Sequence, residues 1–117
     1  MAESIALEKA IKFALRIIQL YKFLTEQKKE FVLSKQILYS GTYIAKHIKS
    51  ALYARSRDGF SNEMYRALEK GLDTDLWLLL LRGGDFISEY QYQSMRNDCV
   101  EMIKLTSSIS KTSQSDE

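Results

Sequence analysis

Residues 31–57 read FVLSKQILYSGTYIAKHIKSALYARSR, and this stretch decides the architecture of the chain. At about 100° per residue, Leu33, Ile37, Gly41, Ile44, Ile48, Ala51 and Leu52 fall on one side of a helix. Lys35, Tyr39, Thr42, Lys46, Lys49 and Tyr53 form a narrow stripe opposite. One side therefore belongs in a core, and the other displays cations with tyrosines between them. The basic residues are Lys35, Lys46, Lys49, Arg55 and Arg57, accompanied by His47 and by no acid. A solvated face usually mixes both signs of charge. A long acid-free helix with exposed lysines is instead suited to a polyanion, so Lys35, Tyr39, Lys46, His47, Lys49, Tyr53, Arg55 and Arg57 are the candidate nucleic-acid-binding residues.

Outward from this helix, three more helical segments are predicted. The first spans about 4–25 with Ser4 as its N-cap, and the charged residues 27–30 connect it to the second, which spans about 31–54. The third spans about 60–82 and stops at Gly83-Gly84. The fourth starts at Ser88, which makes a capping box with Gln91, flanked by Ile87 and Tyr92 at the positions of a hydrophobic staple. It is expected to end near Ile109, leaving 110–117 as a disordered polar tail. Long helices joined by short breaks run antiparallel, which predicts an all-α up-and-down four-helix bundle. The absence of proline and the scarcity of glycine argue against an all-β fold.

The first helix has more apolar surface than one core needs. Leu7, Ile11, Ala14, Ile18 and Tyr21 make one stripe, and Ala10, Phe13, Ile17, Leu20 and Leu24 make a second beside it. Together they cover well over half of the circumference, whereas a bundle core needs an arc of roughly 100° or somewhat more. In the third helix, Leu76 to Leu81 points all the way round. Excess of this kind marks a protein interface. A homo-oligomer is expected, with Phe13, Ile17, Leu20, Leu24, Trp77, Leu80 and Leu81 as contacts between subunits.

The net charge of +2 hides an uneven distribution. Residues 1–30 carry six basic and four acidic groups, and residues 58–117 carry six basic and eleven acidic groups, so the excess of cations is concentrated in 31–57. Cys99 is the only cysteine, which excludes an internal disulfide. The longest apolar run, Leu76 to Leu81, is far short of the ~20 residues of a membrane span. No secretory leader is visible, and a cytoplasmic protein is expected.

Catalytic chemistry finds little support. His47 is the only histidine, and a zinc site needs three or four ligands. Cys99 shares a helical face with Tyr92, Met95, Met102 and Thr106 and reads as a core residue. There is no phosphate-binding glycine loop and no serine with an independent base. No cofactor, metal or catalytic residue is therefore assigned. Asp75 projects into the same arc as Phe60, Met64, Leu68 and Gly71, where an unpaired carboxylate is costly. It is expected to form a structural polar pair, with Arg16 or Arg96 at its level. Gly41 and Gly71 would stand at one height if the second and third helices pair, which suggests a close approach of their backbones.

The segment Phe31-Val-Leu-Ser-Lys-Gln-Ile-Leu-Tyr-Ser-Gly-Thr42 resembles the four-helix-bundle family of ribosomal-RNA intervening-sequence proteins, which includes relatives similar to the Avd accessory protein of diversity-generating retroelements. The likeness extends through Phe13-Ala-Leu-Arg-Ile-Ile-Gln-Leu-Tyr-Lys-Phe-Leu24, Ala67-Leu-Glu-Lys-Gly-Leu-Asp-Thr-Asp-Leu-Trp-Leu78 and Ile87-Ser-Glu89. The resemblance implies a bundle that assembles into a ring-like homopentamer. It also implies, for the retroelement members, nucleic-acid binding and work with a reverse transcriptase. The chain departs from the family pattern at Lys46, His47 and Ser50, where small, amide and acidic residues are usual, and at Leu72, Asp73 and Asp75. The second helix is thus more basic here than in its relatives. The expected function is a non-enzymatic, oligomeric nucleic-acid-binding accessory of a bacterial ribonucleoprotein. The alternative is an adaptor that engages a protein through exposed apolar helix surface.

Overall fold

A computed structural model of the chain describes residues 2–115, with side chains from 3 to 113. It contains four α-helices, α1 (Ala2–Glu26), α2 (Leu33–Leu52), α3 (Arg57–Gly83) and α4 (Glu89–Ser115), and among the described residues no strand. Each helix packs on the next in sequence, α1 and α4 close the bundle through fewer close approaches, and no Cα of α1 comes within 8 Å of one in α3. Helices α1 and α3 therefore occupy opposite corners. The direction alternates: Arg16 meets Asp98 while Lys9 meets Glu101, and Ser40 meets Thr74 while His47 meets Glu63. The result is an up-and-down bundle of 47 × 20 × 20 Å.

The core runs the length of the molecule through Phe13, Ile17, Leu24, Ile37, Ile44, Ile48, Met64, Leu78, Leu81 and Met102. The two apolar stripes of α1 have separate fates. Ala6, Ala10, Phe13, Ile17, Leu20 and Leu24 are buried within the protomer, so Phe13, Ile17, Leu20 and Leu24 are core residues and not the subunit contacts expected of them. Leu81 is corrected in the same way, and Trp77 is half-buried. The outer stripe of α1 is the one left at the surface, with Ile11 and Leu15 exposed and Leu7 and Ile18 half-covered. Both stripes are apolar, and the choice between them was made by the neighbouring helix. A Cβ on Gly41 would stand 2.6 Å from Ile17 Cγ1, so α2 offers a notch that only the inner stripe fills. Gly71 plays the same part on the other side, with Ile103 of α4 at 3.1 Å from the Cβ it lacks. The two glycines thus admit isoleucines from α1 and α4, rather than bringing α2 and α3 together.

Helix ends account for the other differences. Helix α2 begins at Leu33 because Glu30 folds back over its first turn. Its Oε2 accepts from the N–H groups of Val32 and Leu33 at 3.1 and 2.9 Å, and its Oε1 from Ser34 at 2.7 Å. Burial pushes the Glu30 carboxyl up, but these three N–H donors outweigh it and hold the group below its ordinary value. Helix α3 starts three residues earlier than expected because Ser56 is its N-cap, with Oγ accepting from Gly59 N–H at 3.0 Å. It ends in a Schellman motif: Asp85 N–H bonds Arg82 O, Phe86 N–H bonds Leu81 O, and Asp85 itself adopts φ 65°. At the start of α4 the capping box is formed in both directions, Ser88 N–H to Gln91 Oε1 at 2.8 Å and Gln91 N–H to Ser88 Oγ at 3.1 Å. Both staple residues, Ile87 and Tyr92, are buried.

Helix α4 continues to Ser115, where the sequence reading placed a disordered tail from Ser110. Met102, Thr106 and Ser110 are all buried at four-residue spacing, so the inward face is continued by small hydroxyl residues. The Thr106 hydroxyl is satisfied by Met102 O at 2.8 Å and needs no other partner. Residues 116 and 117 of that expected tail lie outside the described residues.

Candidate nucleic-acid interface

The outer face of α2 follows from its composition. With no acid within the helix, no lysine on it has an intrahelical partner four residues away. Lys35, Lys46 and Lys49 are exposed, and so is Arg55 in the connector to α3. Among the described residues, none of these four lies within 4 Å of a carboxylate. On the other helices the cations are mixed with acids: Lys12 and Lys22 of α1 and Lys104 of α4 also have no carboxylate within 4 Å among the described residues, but other cations there are paired. Lys9 pairs with Glu101 and Arg16 with Asp98, Arg66 with Glu63 and Lys70 with Asp73, Arg82 with Glu89 and Arg96 with Asp75. Arg57 opens α3 instead of extending α2; it is exposed and has a partner of its own.

The aromatic residues of this face divide into two groups. Tyr39 and Tyr43 are stacked at a tilt, with ring centroids 4.3 Å apart, and Tyr43 meets the His47 ring edge-on at 5.9 Å. Their i, i+4, i+8 spacing makes a ladder along the side of α2 that faces α3. Lys70 of α3 caps Tyr39 at 4.7 Å, and Lys46 lies 5.1 Å above Tyr43. Tyr53, at the C-cap of α2, stands apart and is 79% exposed. Tyr43 was legible from its spacing but was not among the expected site residues. Lys70 was not legible, because only the register between α2 and α3 brings it to Tyr39.

His47 is removed from the site. It is buried, and its Nδ1 is hydrogen-bonded to Glu63 Oε1 at 3.0 Å. An α2 surface of lysines would otherwise leave this imidazole inside without an acceptor. The structural pair expected around Asp75 involves Arg96, whose Nε is 3.4 Å from Asp75 Oδ1. That oxygen is buried and makes no well-aligned hydrogen bond, so the contact is charge alone. Arg16 is elsewhere: it binds Asp98 Oδ2 at 2.6 Å, Ser94 Oγ at 2.8 Å and Ser94 O at 3.2 Å, tying α1 to α4. Cys99 is buried with its thiol pushed up to about 12, first by burial and then by the Asp75 charge. No group of three or more metal-ligating side chains occurs among the described residues. No helix among them is long and apolar enough to cross a membrane.

A second exposed surface lies on α3. Tyr65, Leu72, Leu76 and Leu79 recur at i, i+7, i+11 and i+14 and are between 43% and 51% exposed, with Leu80 at their side. Of the subunit contacts expected from the sequence, Leu80 alone is fully in this surface.

Residues 2–108 match the 23S rRNA-intervening sequence protein family. The chain belongs to this family. A crystal structure from Bacteroides thetaiotaomicron VPI-5482, described as a protein with unknown function from the S23 ribosomal protein family, is 45% identical in sequence. It covers 95% of this chain and 99% of its own, with a TM-score of 0.93. The comparison with curated proteins returns no match. The fold is shared with that neighbour, and Gly41, Gly71 and Ser88 act in this chain as packing notches and a helix cap.

Proposed function

We propose that this family member is a non-enzymatic accessory protein that binds nucleic acid through the outer face of α2, as part of a ribonucleoprotein such as a reverse transcriptase complex. The single observation that carries this reading is a run of cations on an acid-free helix: Lys35, Lys46, Lys49 and Arg55 have no carboxylate within 4 Å, whereas α1, α3 and α4 each carry acids and at least one paired cation. Each such cation that meets a phosphate releases counterions condensed on the nucleic acid, which supplies affinity and makes it depend on salt.

We propose further that the protein works as a ring-shaped homo-oligomer, a pentamer by the family resemblance. The apolar surfaces of α1 (exposed Ile11 and Leu15 with half-covered Leu7 and Ile18) and α3 (Tyr65, Leu72, Leu76, Leu79) are on opposite corners, so neither can cover the other within one protomer. Joining α1 of one copy to α3 of the next is a head-to-tail contact, which closes into a ring when the rotation allows. A ring repeats the α2 face around its rim and sums the attraction.

The test is fluorescence anisotropy with RNA and DNA, single- and double-stranded, over a range of salt. The protein should bind with an affinity that falls steeply with salt. Lys46→Glu combined with Lys49→Glu should abolish binding while circular dichroism stays unchanged, since both lysines lie opposite the core stripe. Undiminished binding by the folded double variant, or no binding by the parent at low salt, would overturn the reading. The α3 stripe favours the second reading in that event, a protein adaptor whose apolar contact is nearly indifferent to salt.

A further inference from the structure

We propose, resting on the polyanion reading above, that the α2 face selects unpaired, single-stranded nucleic acid, with Tyr53 stacking on one exposed base while Lys46, Lys49 and Arg55 hold adjoining phosphates. The tyrosines of this face differ in what their rings already touch. Tyr39 lies against Tyr43 at 4.3 Å and under the Lys70 ammonium at 4.7 Å. Tyr43 is half-buried between Tyr39, His47 and Lys46. Neither ring has a face to offer without breaking those contacts. Among the described residues, no ring or ammonium is stacked on Tyr53, which is 79% exposed.

Position gives Tyr53 its role. Its backbone N–H is tied to Ser50 O at 3.1 Å, so the residue is anchored at the helix end while its side chain projects into solvent. Lys49 is one turn earlier and Lys46 just under one turn before that, which puts the Tyr53 Cα about 6 Å along the axis beyond that of Lys49. A phosphate held by Lys49 leaves its own base within reach of the ring, and exposed Arg55 follows two residues later. Duplex nucleic acid keeps its base faces inside the stack, so only an unpaired base can use an aromatic platform. Tyr90 is the counter-case: it is 82% exposed, but its neighbour Glu89 carries the opposite charge and already engages Arg82. Exposure alone is common to both residues; only Tyr53 adds a run of cations without acids.

The experiment compares a labelled oligouridylate of about twelve nucleotides with an RNA duplex of the same length. The parent, Tyr53→Ala, Tyr53→Phe, Tyr39→Ala and the Lys46→Glu, Lys49→Glu double variant are titrated, with circular dichroism and light scattering as controls. Tyr53→Ala should weaken oligouridylate binding about tenfold and leave duplex binding unchanged. Tyr53→Phe should retain the parent affinity, because stacking uses the ring and not the hydroxyl. Tyr39→Ala should leave the ratio of the two affinities unchanged. Equal loss for both ligands in Tyr53→Ala, or no loss for either, overturns this inference. A parent that binds both ligands and loses both only on charge reversal removes the Tyr53 role and leaves the polyanion reading standing. A parent that binds neither removes both. A change of mass or helicity in Tyr53→Ala would make the residue a structural contact and also count against it.

Discussion

Helices α2 and α3 lie side by side, run antiparallel and bury similar inner faces, yet their outer faces are opposites. The outside of α2 is cationic, with no acid near its lysines. The outside of α3 carries an apolar stripe among charges of both signs, with Arg66, Lys70 and Arg82 each paired with a carboxylate. One surface therefore attracts at long range and responds to salt, while the other acts only in contact. The difference teaches that one small bundle carries two chemically distinct outer surfaces, separable as recognition sites under the proposed function. It also sets out the experiments that separate them.

The largest effect should come from placing acids in the apolar surfaces. Leu15→Asp on α1 or Leu76→Asp on α3 should bring the mass in light scattering down to the 13.6 kDa of one chain with helix content preserved. The charge-reversed α2 variant should keep its parent mass. If the parent itself is a 13.6 kDa species, the division of labour between the faces is wrong. Ile17→Ala is the inner-face control: it should cost about 3–4 kcal/mol of stability, because it empties the notch at Gly41.

A smaller effect should distinguish the inner faces of α2 and α3. Gly41→Ala puts a Cβ against three carbons of Ile17, the nearest at 2.6 Å. Overpacking of about 1–3 kcal/mol should outweigh the gain of about 1 kcal/mol in helix propensity. Gly71→Ala meets only Ile103 Cγ1 at 3.1 Å and should stay within about 1 kcal/mol of the parent. Urea denaturation of both variants reads the difference, and equal losses would remove the distinction.

The smallest effect lies in how α2 begins. Glu30→Ala should cost about 1 kcal/mol at neutral pH by leaving three N–H groups without their acceptor. Since the folded carboxyl is held below its ordinary value, its contribution is full above the unfolded carboxylate range and fades as pH falls through the folded value. Parent and variant should therefore converge in stability in acid. A constant gap from pH 7 to pH 3 would show that the carboxylate charge plays no part. No such dependence is expected at the start of α3, where Ser56 is the cap.

Much of this was legible in particular residues. The acid-free stripe of α2, the capping box of Ser88 and Gln91, the break at Gly83-Gly84 and the place of Cys99 on an inward face are local or periodic features. Other sites were not legible, and each has a physical cause. Glu30 looked like part of a charged loop, because a carboxylate that caps a helix from three residues upstream has no periodic signal. His47 fell among basic residues and read as part of the cationic face, although its acceptor Glu63 lies on another helix. Ser110 looked like the start of a tail because its hydroxyl hides an inward position from a count of apolar residues.

By itself the sequence determined the number of helices, their order and up-and-down course, the absence of acids from the α2 stretch, and membership of the 23S rRNA-intervening sequence protein family. These depend on spacing along one chain, where the helical period converts position into direction. Only the tertiary structure decided which of the two apolar stripes of α1 is core, which arginine meets Asp75, and which tyrosine of the basic face keeps a free ring. Those are questions of register between helices. A shift of one turn leaves every local pattern unchanged but exchanges the partners, so the notch at Gly41 settles what the stripes of α1 leave open.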